Sequence, residues 1–266
     1  ANTSGTRNIA IGYQAYDAAD TENDNLAIGY DALGGAIAGG QYNVAIGNYS
    51  LDANTSGSSN TASGYQSLSA NTTGADVTAF GYQALSANTT ADRSTAFGSG
   101  ALYANTTGAA NTALGYRALY ANTTGYNNYA AGYRALIANT TGNINTAVGY
   151  QSLFENTTGD QNTGLGSGTL VSSTTGDYNT AVGSSALAAN TTGSRNIAIG
   201  VTAYDGADTE NDNLAIGYDA LGGAINGGEF NVAIGNYSLD ANTTGDANTG
   251  VGYDALGANT TGNWNT

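Results

Sequence analysis

The sequence contains no cysteine, histidine, lysine, proline or methionine, and five arginines stand against 20 acidic residues, which gives a formal net charge of −15. Without His, Lys or Cys, the chain lacks the usual general base, the Schiff-base amine and the thiol nucleophile. Two carboxylates could in principle hydrolyse a glycoside, but a narrow repeat array is expected to offer no cleft. Without a basic patch the chain cannot neutralise phosphates. We therefore expect neither an enzyme nor a nucleic-acid-binding protein.

Two further absences concern location. No run of 18 apolar residues occurs, so we expect no membrane insertion by this segment. Without cysteine there is no disulfide framework, and the redox compartment cannot be read. The sequence also starts without Met or a signal peptide, and we expect it to be a mature chain or part of a longer one.

A repeat of 17 residues, here called a rung, occupies the whole sequence. Fifteen rungs follow one another, with a spacing of 18 residues at two places only, and each contains a glycine preceded by a bulky apolar residue and, before that, Ala. A fixed period of this kind is typical of repeat architectures. We predict one continuous array over residues 1–266, without a second domain. The marker residues, here called rung glycines, are Gly12, Gly29, Gly47, Gly64, Gly81, Gly98, Gly115, Gly132, Gly149, Gly166, Gly183, Gly200, Gly217, Gly235 and Gly252.

Within a rung, small and large side chains alternate around the rung glycine, as in 111–125. This period of two predicts two short strands per rung. The Asn-Thr-Thr-Gly that follows predicts a turn, because Asn tolerates the left-handed backbone region and Gly occupies it freely.

Stacked rungs bring equal positions into columns. Asn recurs four residues before the rung glycine and Leu four residues after it. Asn side chains stacked in this way would donate hydrogen bonds from each amide to the next carbonyl. The sequence therefore predicts an all-β fold, a parallel β-solenoid of fifteen coils. The predicted ladder residues include Asn8, Asn25, Asn43, Asn60, Asn111, Asn128, Asn145, Leu33, Leu68, Leu85, Leu119 and Leu153.

A coil of two short strands is thin and leaves one apolar face uncovered. Two buried large side chains contribute about 3–6 kcal/mol per rung, whereas ordering 17 residues costs roughly 17–34 kcal/mol. Neighbouring rungs and neighbouring copies must supply the difference. We therefore expect self-association, as a homotrimer or an end-to-end filament.

The unit Asn-Thr-Ala-x-Gly-Tyr-x-Ala-Leu, as in 111–119 and 145–153, resembles the head repeats of trimeric autotransporter adhesins of the YadA type. It is similar as well to tandem repeats in bacteriophage tail-fibre shafts. The resemblance covers all fifteen rungs and implies a left-handed, trimeric β-roll that is extracellular, on a cell surface or on a virion. Adhesin heads use a shorter repeat, and the added length here falls in the Asn-Thr-Thr-Gly turn.

A longer duplication lies above the rung repeat. Residues 7–57 and 195–245 are nearly identical at an offset of 188 residues, which equals eleven rungs and includes both 18-residue rungs. Neither terminus has a polar capping rung. We expect an eleven-rung super-repeat that continues beyond this segment in a longer fibre.

Ten of the twenty acidic residues fall in two windows of the duplicated segments. Alternating carboxylates there could converge on Ca²⁺, which takes six to eight oxygen ligands. The alternative is a solvated acidic loop that maintains solubility. The calcium hypothesis names Asp20, Glu22, Asp24, Asp208, Glu210 and Asp212.

Tyr follows the rung glycine in nine rungs. Such a column could stack on sugars of a host-surface glycan or receptor, or it could simply pack across strands. The aromatic residues beside the 18-residue rungs interrupt this regularity and are our candidates for a ligand-facing patch. They are Tyr42, Tyr49, Phe230 and Tyr237.

The Asn-Thr-Thr and Asn-Thr-Ser tripeptides are formal N-glycosylation acceptors. The same tripeptide serves the turn in every rung, so its repetition also follows from the fold alone. The sequence leaves both interpretations open.

Two functions fit these patterns. The first is a structural or adhesive fibre module, a rigid shaft that spaces or presents binding surfaces. The second is an ice-binding or carbohydrate-binding solenoid. Ice binding requires outward Thr side chains on a flat strand, whereas Thr106 and Thr107 are adjacent and lie in a turn. We therefore favour the fibre module.

Overall fold

A computed structural model describes residues 4–17, 21–36, 38–206 and 208–266. Over these residues the chain forms fifteen strands of three residues each, one per rung, and no helix. The strands are parallel and are joined by turns. The predicted parallel β-solenoid is confirmed.

The chain divides into two compact units, 1–131 and 132–266. In each unit the strands follow one another in chain order. The first unit contains β1 (Ile9–Ile11), β2 (Leu26–Ile28), β3 (Val44–Ile46), β4 (Thr61–Ser63), β5 (Thr78–Phe80), β6 (Thr95–Phe97), β7 (Thr112–Leu114) and β8 (Tyr129–Ala131). The second contains β9 (Thr146–Val148), β10 (Thr163–Leu165), β11 (Thr180–Val182), β12 (Ile197–Ile199), β13 (Leu214–Ile216), β14 (Val232–Ile234) and β15 (Thr249–Val251).

Neighbouring strands pair in register, one rung apart. In the first unit Ala79 lies opposite both Ala62 and Ala96. Across an 18-residue rung, Ala27 still lies opposite Ala45, so the extra residue is accommodated outside the strand. Equal positions of successive rungs therefore stack into columns within each unit.

The backbone after the rung glycine turns instead of extending. The predicted second strand is wrong, because residues two and four after the rung glycine have positive φ, for example Gln83 at 54° and Leu85 at 51°. A residue in this region cannot continue a strand. The turn still bonds to both neighbours: the N–H of Gln83 donates to the Tyr65 carbonyl at 2.9 Å, and that of Leu85 to the Ala101 carbonyl at 3.0 Å.

The core of each unit consists of the strand alanines and the Leu column. Leu33, Leu68, Leu85, Leu119 and Leu153 are fully buried. Burial of one such side chain contributes about 1.5–3 kcal/mol, whereas the left-handed backbone costs a bulky residue about 1–3 kcal/mol. The inter-rung hydrogen bonds are therefore needed to hold the leucines in place.

The Asn-Thr-Thr-Gly turn differs from our expectation. Neither Asn71 nor Gly74 has the left-handed φ that we expected there. A small residue is needed at Gly74 for a different reason: a Cβ built on it would lie 2.6 Å from the Ala91 carbonyl oxygen. The spacing between stacked rungs, and not the φ of the turn, selects this glycine.

Candidate functional site

The first Asn column, four residues before the rung glycine, bonds mainly to the backbone of the next rung. Asn43 Oδ1 accepts the N–H of Asn60 at 3.0 Å, and Asn43 Nδ2 donates to the Gly57 carbonyl at 3.0 Å. Val77 replaces Asn in the next rung, yet its N–H still donates to Asn60 Oδ1 at 3.0 Å. The column therefore tolerates single replacements. Asn25, Asn43, Asn60, Asn111, Asn128 and Asn145 are buried, and Asn8 is half-buried.

A second Asn column, not recognised from the sequence, is formed by the turn asparagines. Asn71 Nδ2 donates to Asn54 Oδ1 at 3.0 Å, and Asn88 Nδ2 donates to Asn71 Oδ1 at 2.8 Å. Each Nδ2 also donates to the carbonyl three residues later, as Asn71 does to Gly74 at 3.0 Å. This column is the ladder of side-chain amides that the sequence predicts for the first column. The 17-residue recurrence of this Asn was the available signal, and the turn interpretation had absorbed it.

Burial of this second column bears on glycosylation. The acceptor nitrogens are enclosed and donate hydrogen bonds within the fold, so the folded chain does not present them. Asn2 lies outside the described residues, and Asn259 is half-buried. The buried members are Asn54, Asn71, Asn88, Asn105, Asn122, Asn139, Asn156, Asn190 and Asn242.

The adjacent threonines of the turn point in different directions. Thr106 is half-buried, and its hydroxyl donates to the Thr123 carbonyl at 3.1 Å. Thr107 is exposed. Each turn therefore presents one Thr side chain to solvent and uses the other inside the stack.

The acidic loop of the second duplicated segment is organised around a buried glutamate. Only 4% of Glu210 is exposed. Its Oε2 accepts the N–H groups of Asp208 at 3.0 Å and Thr209 at 3.1 Å, and its Oε1 accepts the N–H of Gly227 in the next rung at 2.8 Å. The carboxylate thus joins two rungs, and it does so through neutral donors.

The first duplicated segment repeats this arrangement. Glu22 is 3% exposed, and it accepts the N–H of Thr21 at 3.1 Å and the N–H of Gly39 at 2.9 Å. In both segments a buried Tyr replaces Leu in the core: Tyr16 Oη accepts Asn25 Nδ2 at 2.9 Å, and Tyr204 takes the equivalent bond from Asn213. These loops are built parts of the core and not merely solvated acidic segments.

The two remaining acids in register with each other form ion pairs. Arg7 donates to Asp24 at 2.5 and 2.7 Å, and Arg195 donates to Asp212 at 2.6 and 2.7 Å. In each pair the arginine lowers the pKa of the aspartate and the aspartate raises the pKa of the arginine, first through the side-chain hydrogen bond. Since the arginines are largely exposed, these pairs contribute little to stability.

The geometry gives the six candidate calcium ligands other partners. Asp20 lies outside the described residues. Glu22 and Glu210 are buried on backbone donors, Asp24 and Asp212 are paired with arginines, and Asp208 accepts the Thr191 hydroxyl. Over the described ranges, no three acidic side chains gather where they could hold a metal ion. The arrangement does not fit a calcium site, and calcium binding stays a prediction from sequence alone.

The tyrosines that follow the rung glycines stack on one another. The rings of Tyr13 and Tyr30 are 5.7 Å apart at 13°, and those of Tyr65 and Tyr82 are 5.6 Å apart at 10°. Between them Tyr49 fills the gap at the 18-residue rung, 5.2 Å from Tyr30 and 6.0 Å from Tyr65, with both contacts edge to face. Ring faces are thus occupied by neighbouring rungs, which favours packing over sugar stacking.

The four proposed ligand-facing residues do not form one patch. Tyr49 and Tyr237 are half-buried members of the Tyr column, and Tyr237 lies between Tyr218 and Tyr253. Tyr42 and Phe230 stand five residues before the rung glycine, at a left-handed position, and are exposed. They share a column with the arginines and aspartates of the two ion pairs.

A column of apolar side chains remains exposed at the last residue of the strands. Phe80 is 45% exposed and Phe97 is 56% exposed, with their rings stacked at 5.1 Å and 9°. Exposed apolar patches of this kind are uncommon on monomeric soluble proteins and mark interaction surfaces. The exposed members are Ile11, Ile46, Phe80, Phe97 and Leu114 in the first unit, and Val148, Leu165, Ile199 and Val251 in the second.

Asp52 has the most perturbed carboxyl of the first unit. It is half-buried, and this burial, together with the charge of Asp31, raises its pKa to about 6. Related causes raise the pKa of Asp205 and of Asp240 in the second unit: burial first, then repulsion from Asp219, to which Asp254 adds at Asp240. The ionised carboxylates of this edge are therefore a cost to the fold at neutral pH.

The variant Asp52→Asn is expected to stabilise the protein at neutral pH only. Because the pKa is higher in the folded than in the unfolded state, ionisation costs stability as the pH rises through this interval. The gain should be on the order of 1 kcal/mol at about pH 7.5, since a half-exposed carboxylate is screened, and should vanish near about pH 4. Thermal unfolding at both pH values measures it. Asp76→Asn, at an exposed residue, is the control, and an equal gain at both pH values would contradict the account.

Over the described part of the chain, no helix is long and apolar enough to cross a membrane. Comparison with protein-family models, curated proteins and solved structures finds no match to this chain.

Proposed function

We propose that this chain is a structural shaft module of an extracellular fibre, on a cell surface or a virion, which spaces or presents binding surfaces. The observation that carries the proposal is the exposed apolar column on an otherwise tightly bonded stack. The inter-rung hydrogen bonds supply rigidity, while the column supplies a surface that water disfavours.

Self-association follows from the same column. Copies that pack these strand faces together, as a trimer if the resemblance to adhesin heads holds, would remove the apolar side chains from water. Ser63 occupies the same strand position as Phe80 and Phe97, so the rung accepts a polar side chain there. Association and folding can therefore be separated by substitution.

The double variant Phe80→Ser, Phe97→Ser is expected to keep the fold and weaken association. Sedimentation should show the wild type as an oligomer and the variant shifted toward the monomer, with unchanged β-sheet circular dichroism. The control is Tyr126→Ser, which removes an exposed aromatic residue outside the column. A monomeric wild type would overturn the proposal of a self-associating shaft.

A further inference from the structure

The two acidic loops differ at one chemically significant position. In the second duplicated segment Asn226 precedes Gly227, whereas the first segment has Ala38 before Gly39. No other Asn-Gly pair occurs in the sequence. Asn followed by Gly can close on itself, because the glycine nitrogen can attack the side-chain amide carbon without steric hindrance from a Cβ.

The surroundings of this pair favour that reaction. Asn226 and Gly227 are exposed. Gly227 has φ +112°, and a Cβ built on it would meet nothing within 4 Å, so the attacking nitrogen lies in open space. Its N–H donates to Glu210 Oε1 at 2.8 Å. The group that must lose a proton on attack is therefore already bonded to a carboxylate.

We propose that Asn226–Gly227 is a self-modifying site, at which Glu210 acts as general base for succinimide formation. The Gly227 nitrogen bonds to Asn226 Cγ, its proton passes to Glu210 and on to the departing amide, and ammonia leaves. Water then opens the ring. Cleavage of the new N–Cγ bond gives aspartate, and cleavage of the bond between the nitrogen and the Asn226 backbone carbonyl carbon gives isoaspartate. Only water is consumed.

The change is irreversible and alters the loop. In the succinimide the Gly227 nitrogen carries no hydrogen, so Glu210 loses its donor from the next rung and keeps only Asp208 and Thr209. Ring opening adds one carboxylate to an already acidic loop. The first segment holds the same carboxylate bond, from Gly39 to Glu22 at 2.9 Å, but has no side-chain amide to react. The modification therefore distinguishes two otherwise matching loops.

The test is incubation of the folded chain at neutral pH, followed by peptide mapping with mass detection and isoaspartate-specific methylation. We expect residue 226 to exchange its amide NH₂ for OH and to yield isoaspartate, while the buried asparagines remain unchanged. Residue 226 staying amidated in the folded chain, over a period in which the urea-unfolded chain converts it, would overturn the proposal.

Two variants test the contribution of the loop. Ala38→Asn places the missing amide beside Gly39 and Glu22, and it is expected to convert at a rate of the same order as Asn226. Glu210→Gln is expected to slow conversion of Asn226 by about tenfold or more, with the fold checked by circular dichroism. An inert Asn at position 38, or a folded Glu210→Gln variant that converts as fast as the wild type, would refute the role of the carboxylate. If Glu210→Gln does not fold, the Ala38→Asn result decides.

Discussion

Replacing Gly81 with alanine is expected to destabilise the protein severely, although it adds only one methyl group. A Cβ at this rung glycine would lie 2.7 Å from the carbonyl oxygen and 2.8 Å from the carbonyl carbon of Gly98. Both atoms belong to the backbone of the next rung, so neither can move without breaking the pairing of β5 with β6. We expect a loss of about 4 kcal/mol or more, measured by thermal and urea unfolding.

Gly39→Ala is the matched control for this prediction. Gly39 also has a positive φ, at 111°, but a Cβ there would meet nothing within 4 Å. It should therefore cost only the backbone strain, about 1–3 kcal/mol. Equal losses at positions 81 and 39 would show that φ, and not the rung spacing, selects the rung glycines.

Removal of one amide from the second Asn column is expected to have the next largest effect. In Asn88→Ala, Asn71 Oδ1 and the Ala91 carbonyl each lose a donor, and Asn105 Nδ2 loses an acceptor. The three asparagines are fully buried, so water does not replace the missing partner. Each buried group left unsatisfied costs about 1–3 kcal/mol, and we expect a total loss of about 3–5 kcal/mol in chemical unfolding.

The column contains a natural interruption that permits the reverse experiment. Ser173 stands where the next asparagine would be, and within the described chain neither its hydroxyl nor Asn156 Oδ1 has a hydrogen-bond partner. Ser173→Asn would place an amide beside Asn156 and is expected to raise the stability of the second unit by about 1–2 kcal/mol. A destabilised Ser173→Asn variant would mean that the column is not held together by its amides.

Much of the fold could be predicted because the repeat sets one register throughout each unit. The strand triplets, the stacking and the buried Leu column follow from a 17-residue period and the alternation of small and large residues. The second strand could not be excluded in this way, because an alternating pattern does not reveal φ. Leu85 would be buried in a strand just as it is in the left-handed turn that it actually occupies.

The candidate sites were less predictable because they depend on which partner each polar group finds. Glu22 and Asp24 look alike in the sequence, yet one is buried on backbone donors and the other is paired with Arg7. The pairing with Arg7 follows from the 17-residue spacing and could have been found. The burial of Glu22 could not, because it depends on the N–H of Gly39, in a loop whose course the period does not set.

The interruption at Ser173 also has a mechanical consequence. Within the second unit each rung is joined to the next by its own set of hydrogen bonds, so a pulling force is carried by these sets one after another, as by links in a chain. The tensile strength of the unit then equals that of its weakest boundary and not the sum of all boundaries. We expect the boundary between Asn156 and Ser173, where the amide column is broken, to yield first under load.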